Sequence, residues 1–166
     1  HSAPVVRLAD AMPMQLGHVA EADGRWRLYM FAPVDDAGST DGATSRLCDF
    51  LVESPESPIL RANREGEDID AVIDARVVFQ QGFRELDYGT MPRLLRPRKG
   101  PYGLQDYEKV FCADIKGGQD IFAMRGIDRT AGALVVVRPD QYVANILPIT
   151  ETGALTSFFA GIFLLA

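Results

Sequence analysis

Residues 133–163, ALVVVRPDQYVANILPITETGALTSFFAGIF, carry the pattern that decides the fold of this chain. The run Ala133–Val137 is apolar throughout, which is typical of a fully buried strand, and residues 141–147 predict a second strand. Between the two runs stands Pro139, whose ring presets the φ angle that the second residue of a turn requires. The sequence therefore predicts a β-hairpin.

A helix is predicted after the hairpin. Pro148 closes the second strand, and Thr150 or Thr152 can cap the helix that follows. Apolar side chains recur in this helix at spacings of three and four residues: Leu155, Phe158, Phe159, Ile162 and Phe163. The helix is either an ordinary core helix or a surface shared with another domain or subunit. The candidate contacts are Phe158, Phe159, Ile162 and Phe163.

A strand and a helix are predicted in the first third of the chain. Residues 25–32 begin with polar and apolar alternation and end apolar on both faces, as in a strand at the middle of a sheet. Residues 44–52 predict a helix, because Leu47, Phe50 and Leu51 would then share one face.

The middle of the chain predicts a strand and two long connections. Residues 71–80 alternate, so we predict a half-buried strand with Asp74 and Arg76 on its polar side. Residues 53–70 are acidic and contain prolines, which indicates a surface connection. Residues 82–110 indicate an insertion with a task of its own, because loops of that length are unusual in compact domains.

The predicted order is strand, helix, strand, long insertion, β-hairpin, helix. An early crossover with a closing hairpin and helix is the order of a thioredoxin-like α/β sandwich, here with a long insertion before the C-terminal β-hairpin and final helix. We expect residues 1–166 to form one such domain. A fold of this class hosts many functions, so it does not by itself assign one.

The composition argues against several function classes. The chain has 166 residues, 47% of them hydrophobic, which predicts a globular domain with a core rather than disorder. Its net charge of −6 argues against a nucleic-acid binder, whose footprint is normally basic. The most apolar tract, residues 156–166, falls short of the roughly 20 residues that span a bilayer. We therefore expect a cytoplasmic protein with no nucleic-acid or membrane partner.

Common signatures of catalysis are absent from the sequence. It contains no G-x-G-x-x-G, no P-loop and no G-x-S-x-G, and His1 and His18 have no metal-ligand spacing. Cys48 and Cys112 form no C-x-x-C pair, so we expect two reduced thiols packed as small hydrophobes. We therefore predict no catalytic, cofactor-binding or metal-binding residue in this chain.

A basic cluster stands out in this acidic chain. Arg93, Arg96, Arg98 and Lys99 follow one another closely, and Tyr102 comes soon after them. The cluster is either a solvated loop or a docking patch for an acidic partner. Tyrosine and arginine are residues that anchor interfaces, so we take this cluster as a second candidate contact surface.

Several short motifs occur in a characteristic order. They are RLAD at 7–10, LGH at 16–18, ADGRWR at 22–27, FA at 31–32, DYEKVF at 106–111, GID at 126–128 and VRPDQYV at 137–143. In this order they resemble the C-terminal domain of the FAD-dependent aromatic hydroxylases, the family that includes phenol 2-monooxygenase and 3-hydroxybenzoate 4-hydroxylase. The resemblance spans nearly the whole chain.

The resemblance implies a thioredoxin-like domain that has lost its redox centre and follows the flavin- and substrate-binding domains of the same protein. Such a domain would brace the flavin domain and contribute to subunit association, so a homo-oligomer is expected. FAD and NAD(P)H would serve the parent protein, which inserts one oxygen atom into a phenolic ring, and this chain alone would bind neither. The start at His1 without an initiator Met agrees with a break at a domain boundary.

Two other functions stay open, and one residue departs from the family. The first alternative is an autonomous thioredoxin- or peroxiredoxin-like thiol enzyme that uses Cys48. The second is a stand-alone module that binds small aromatic molecules. In the family the hairpin carries glycine where Gln141 stands here. Because a non-glycine residue disfavours a positive φ, the turn type stays open.

Overall fold

The structure, a computed structural model, describes residues 3–114 and 116–163. His1 and the last three residues of the tract 156–166 lie outside the described residues. The strands are β1 (Pro4–Arg7), β2 (Met12–Gln15), β3 (Trp26–Phe31), β4 (Ile73–Phe79), β5 (Arg98–Lys99), β6 (Leu104–Gln105), β7 (Val110–Ala113), β8 (Ala133–Val137) and β9 (Val143–Leu147). The helices are α1 (Ala43–Glu53), α2 (Pro58–Ala62), α3 (Ile121–Arg125) and α4 (Thr152–Phe163).

Seven of the strands form one mixed sheet in the order β2-β1-β7-β4-β3-β8-β9, while β5 and β6 form a separate hairpin. Strands β3, β4 and β7 are parallel neighbours, and β8 runs antiparallel to β3. The predicted crossover through α1, the closing hairpin of β8 and β9 and the final helix are all confirmed. The predicted α/β class is confirmed with them.

One face of the sheet packs against α1, α2 and α4. Inward-facing residues of the central strands build this core with the helices, among them Leu28, Met30, Ile73, Val77, Leu47, Leu51, Ile59, Leu155 and Phe159. The ring of Trp26 meets three phenylalanines of α4 edge-on, and its centroid lies 5.4 Å from that of Phe159. The final helix is therefore attached to the sheet by aromatic packing as well as by burial.

The opposite face packs against α3 and the N-terminal segment. Alternate residues of the same strands form this second core, including Tyr29, Phe31, Val78 and Phe111, with Ile121 and Phe122 of α3. The rings of Phe31 and Phe122 pack edge-on, 5.5 Å apart. The two cores together explain why the central strands carry apolar side chains on both faces.

The prediction that residues 71–80 form a half-buried strand is wrong. All seven residues of β4 are buried, and Asp74 and Arg76 are only 0% and 6% exposed. The alternation is real, but the side that carries these charges faces other charged side chains instead of solvent. Charge pairing makes that burial possible.

Both predicted connections contain core elements. Residues 53–70 include α2, whose start is capped by the Ser57 hydroxyl and whose Ile59 is fully buried. In the insertion 82–110, Met91, Leu94 and Leu95 are buried in the core that includes α1. Neither segment is merely a surface loop, because each supplies apolar side chains that cover the sheet.

The hairpin turn keeps a left-handed residue although glycine is absent. Gln141 has φ 72°, and its backbone N–H donates to the carbonyl oxygen of Arg138 at 2.9 Å. Its side-chain amide donates to the carbonyl oxygen of Ala20 at 3.2 Å. A left-handed conformation costs a non-glycine residue about 1 kcal/mol, and this hydrogen bond offsets part of that cost.

Alanine substitutions at Phe159 and Ile162 should distinguish the core-facing side of α4 from its exposed side. We expect Phe159→Ala to lower the free energy of unfolding by about 3–5 kcal/mol, because a fully buried ring leaves a cavity in the core. Ile162 is 39% exposed, and Ile162→Ala is the matched control with an expected loss below about 1 kcal/mol. Urea unfolding followed by circular dichroism measures both, and equal losses would contradict this packing.

Candidate functional site

The first candidate is the thiol of Cys48, on the helix that follows β3. Cys48 lies in the middle of α1, where its side chain joins the core and is 1% exposed. Burial raises the pKa of this thiol, and the nearby charges of Asp49 and Asp36 raise it further. A reactive cysteine needs accessibility and a lowered pKa, so Cys48 has the opposite surroundings.

Cys112 offers no second thiol for a redox pair. It lies on β7, its Sγ is 3.4 Å from the carbonyl oxygen of Val6, and burial raises its pKa to about 12. Both cysteines of the chain are described, buried and unpaired. The prediction of two reduced thiols packed as small hydrophobes is confirmed.

A carboxylate occupies the start of α1, at the carboxyl end of β3. Asp36 is 3% exposed and accepts hydrogen bonds from the backbone N–H of Thr44 at 2.7 Å and of Gly38 at 2.9 Å. Glycine is needed at position 42 because a Cβ there would collide with this carboxylate. The helix terminus that could activate a nucleophile is thus neutralised by the chain's own side chain.

A buried ionic network lies at the other end of the parallel strands. Asp74, on β4, is fully buried, and its Oδ2 lies 2.9 Å from Nε of Arg76 and 3.1 Å from Nε of Arg27 on β3. Its Oδ1 accepts from the ammonium of Lys109, which directly precedes β7. One carboxylate therefore joins charges from all three parallel strands.

Asp70 is a second carboxylate in the same network. It is 2% exposed and binds the ammonium groups of Lys109 at 2.6 Å and Lys99 at 2.8 Å, with Arg25 at 3.2 Å. Burial alone would raise the pKa of Asp70, but Lys109 and Lys99 outweigh it and lower the pKa to about 2. Asp74 behaves alike: burial opposes the shift, and Lys109 and Arg76 lower its pKa.

The geometry of the network indicates a structural role. Each of its carboxylates is held ionised by cations, so none is poised to exchange a proton near neutral pH. Charged side chains, among them Asp68, Asp70 and Lys99, also line an open groove of about 650 Å³ beside it. Its lining is rich in charged side chains, and the alternative of a small-aromatic binding module stays a prediction.

The predicted basic cluster is divided by the fold. Arg93 and Arg98 are exposed, and Tyr102, at the turn between β5 and β6, is 87% exposed. Arg96 is half-buried, where its Nε donates to the carbonyl oxygen of Met91 at 2.6 Å. Lys99 is taken into the ionic network. The contact surface that remains is the β5–β6 hairpin with the turn before it, and its role as an interface stays a prediction.

The four candidate residues of α4 are also divided. Phe159 is 0% exposed, so it belongs to the core and presents no surface to a partner. Phe158 and Phe163 are half-buried against Trp26, at ring distances of 6.0 and 6.3 Å. Ile162 is the exposed member of the set. A role for Phe158, Ile162 and Phe163 in an interface stays a prediction.

The exposure of apolar residues in the closing hairpin is not predicted by the sequence pattern. Tyr142, Val143 and Ile146 are 72%, 58% and 64% exposed. A local signal for them exists, since residues 141–150 contain no charged side chain. Periodicity alone could not show it, because a strand buried on both faces and one left open have similar patterns.

Metal-binding clusters and membrane-spanning helices are both absent from the part of the chain that the structure describes. Across residues 3–114 and 116–163, no three His, Cys, Asp or Glu side chains stand close enough together to hold a metal ion. Within the same residues, no helix has the length and apolar character needed to cross a bilayer.

The chain is similar in sequence to the C-terminal part of flavin-dependent hydroxylases. The family described as "Phenol hydroxylase, C-terminal dimerisation domain" matches residues 1–166. The chain is 53% identical over 160 residues to 3-hydroxybenzoate 4-monooxygenase of Comamonas testosteroni, covering 96% of this chain and 25% of that protein.

Two fungal proteins are more distant relatives. The FAD-dependent monooxygenase terD of Aspergillus terreus is 30% identical over 161 residues, which are 95% of this chain and 26% of that protein. The phenol 2-monooxygenase fsqG of Aspergillus fumigatus is 30% identical over 165 residues, which are 95% and 25% of the two proteins. The chain thus spans about a quarter of the length of the curated relatives it matches.

Structural comparison supports the fold. The peroxidoxin BcpB of Mycobacterium tuberculosis superimposes with a TM-score of 0.53 and 14% identity, over 98% of this chain and 93% of that one. This likeness shows the fold alone. The predicted thioredoxin-like α/β fold is confirmed.

Thiol reactivity tests the placement of the cysteines. We expect neither Cys48 nor Cys112 of the native chain to react with Ellman's reagent on the timescale on which the denatured chain releases two equivalents, because both thiols are buried with raised pKa values. Rapid labelling of Cys48 in the native chain, or peroxide turnover lost in Cys48→Ser, would contradict this placement.

Lys109 tests the ionic network. Lys109→Met should lower the free energy of unfolding at neutral pH by about 3–5 kcal/mol, because it leaves the buried carboxylates of Asp70 and Asp74 short of a cation. Lys116→Met, on an exposed lysine, is the matched control and should change it by less than about 0.5 kcal/mol. A wild-type-like stability of Lys109→Met in urea unfolding would show that the network carries little energy.

The same network predicts an acid-dependent stability. The pKa of Asp70 falls from 3.8 to about 2 on folding, so its contribution is complete above about pH 5 and is lost as the pH drops toward 2. Urea unfolding at a series of pH values should therefore show a loss of stability across that window. The loss should be smaller in Lys109→Met, whose folded state no longer lowers the pKa as strongly.

Proposed function

The chain belongs to the family of phenol hydroxylase C-terminal dimerisation domains, and from that premise we propose that it is the domain through which an FAD-dependent aromatic hydroxylase joins its subunits. The family match over residues 1–166 carries this proposal. The identity of 53% to 3-hydroxybenzoate 4-monooxygenase supports an aromatic hydroxylase as the parent. We propose residues 1–166 as one domain of that longer protein.

The role of the domain is non-catalytic in this proposal. Its thiols are buried with raised pKa values, and a carboxylate fills the start of the helix where a nucleophile could be activated. These observations also speak against the autonomous thiol enzyme, since a thiolate at Cys48 is disfavoured. The domain therefore acts by contact, and the chemistry belongs to the rest of the protein.

FAD and NAD(P)H are the cofactors that we assign to the preceding domains. One relative is named an FAD-dependent monooxygenase, and the chain covers only a quarter of its length, which leaves room for cofactor and substrate domains elsewhere. The parent would insert one oxygen atom into a phenolic ring. Two unpaired cysteines agree with a cytoplasmic location, where thiols stay reduced.

We assign the two predicted surfaces to contacts with the rest of the hydroxylase. The β5–β6 hairpin presents Arg98 and the ring of Tyr102 to its surroundings, with Arg93 exposed on the turn before it. Arginine and tyrosine with this exposure are typical interface anchors. The end of α4 adds Ile162, and through these surfaces the domain would brace the flavin domain.

The oligomeric state of the chain is the direct test. We expect light scattering to give a mass that approaches twice 18.2 kDa as the concentration rises, because a dimerisation domain should associate by itself. A mass that stays at the monomer value at the highest concentrations would contradict the proposed function.

The full-length protein supplies a second test. Removal of this domain should convert a dimer into a monomer while the absorption spectrum of bound flavin is retained, because the cofactor is assigned to other domains. A truncated protein that remains dimeric would remove the basis of the proposal.

A further inference from the structure

The β8–β9 hairpin leaves an apolar surface uncovered on the face of the sheet that carries α3. Val135 and Val137 of β8 are half-buried against the core on that face. In the antiparallel register, Ile146 stands opposite Val135, and beyond a β-bulge at Ala144 Val143 stands opposite Val137. Residues directly opposite in a sheet share a face, so these four aliphatic side chains form one surface, which we call the hairpin face.

The outer half of the hairpin face is open. Val143 and Ile146 are 58% and 64% exposed, and Tyr142 beside them is 72% exposed. The short helix α3 covers the middle of the sheet, where Phe122 packs on Phe31, two strands away from β9. Contiguous exposed apolar patches mark interaction surfaces, whereas apolar side chains scattered singly do not.

The charge pattern of the hairpin is that of an interface core. Between residues 130 and 150 the only charged side chains are Arg138 and Asp140, and they bind each other at 2.6 Å. The cores of protein interfaces are depleted in charge in the same way. The β5–β6 hairpin contrasts with this, because Arg98 and Lys99 form one of its two strands.

The edge of β9 is less suited to adding a strand from a partner. β9 is the last strand of the sheet, and the side-chain Oδ1 of its Asn145 accepts a hydrogen bond from the N–H of Ile146 at 2.9 Å. This bond occupies a donor that an added strand would need. The other sheet edge, β2, contains Pro13, which has no N–H to donate. Side-chain packing through the face is therefore the better mode of contact.

We propose that the hairpin face, Val135, Val137, Val143 and Ile146, packs against the same face of a second copy of this chain. This inference rests on the proposed function, which calls for a surface that meets a copy of itself. Packing of identical faces about a twofold axis pairs each aliphatic side chain with a complementary apolar surface. Tyr142 at the hairpin lies where it can extend the contact.

The position of the hairpin in the sheet favours a second copy over the preceding domains. In a C-terminal domain the rest of the protein enters through β1, and β7, β4 and β3 separate β1 from β8. The hairpin face thus lies toward the end of the sheet away from the entry point. It remains available for a contact with a partner subunit.

Charge substitutions on the hairpin face test the inference in the chain itself. Val143→Lys and Ile146→Lys should each raise the dimer dissociation constant by about a hundredfold, because they place an unpaired ammonium in an apolar contact. Leu104→Lys and Ile162→Lys probe the two other candidate surfaces, and the matched control is Val34→Lys, because Val34 is 50% exposed and lies on none of the three surfaces. It should dimerise like the wild type in sedimentation velocity experiments.

The outcomes separate this inference from the proposed function. A wild-type chain that is monomeric throughout contradicts both. A wild-type dimer that survives Val143→Lys and Ile146→Lys contradicts the hairpin face alone. Loss of the dimer only in Leu104→Lys would move the interface to the β5–β6 hairpin, and loss only in Ile162→Lys would move it to α4; either result overturns the inference.

A measurement on the wild-type chain guards against misfolded variants. Methyl NMR spectra recorded across a dilution series should show concentration-dependent shifts for Val143 and Ile146 and unchanged signals for Leu104, because only the first two would enter and leave an interface. Shifts confined to Leu104 or Ile162 would overturn the inference without any substitution.

Discussion

The ionic network around Asp74 is the constraint on which the parallel part of the sheet depends. A fully buried carboxylate is tolerated only with cations beside it, and Arg27, Arg76 and Lys109 come from or next to β3, β4 and β7. A shift of any of these strands by one residue would turn its charged side chain to the other core. The network therefore selects one register for three strands that apolar packing alone would leave less well defined.

Buried carboxylates lie at both ends of the parallel strands, and the two ends differ in the groups that neutralise them. At the carboxyl end, Asp36 satisfies the start of α1 and Cys48 lies buried farther along that helix, so the place where a thioredoxin-like fold could hold a reactive thiol contains none. At the amino end, the charges neutralise one another. The proposed function therefore places the contacts of the molecule on its surfaces, which agrees with membership of a dimerisation family.

The elements set by local pattern were predictable, and those set by long-range pairing were not. The hairpin of β8 and β9 follows from two apolar runs around Pro139, and α1 follows from a three- and four-residue period. The pattern predicts a half-buried strand with Asp74 and Arg76 on its polar side, because alternation shows only that the two sides differ. The burial of Met91, Leu94 and Leu95 could not be predicted for a similar reason, since an aperiodic segment does not show which part of the fold it covers.

The sequence by itself determined the order of elements, the thioredoxin-like class and the resemblance to the hydroxylase family, because these depend on periodicity, turn residues and short motifs that lie close together along the chain. Only the tertiary structure decided which charges meet, which of the α4 phenylalanines is core, and that the face of Val143 and Ile146 is left open. Those properties depend on which strands become neighbours and on what covers each face. Contacts between residues far apart in the chain settle both, and no local pattern records them.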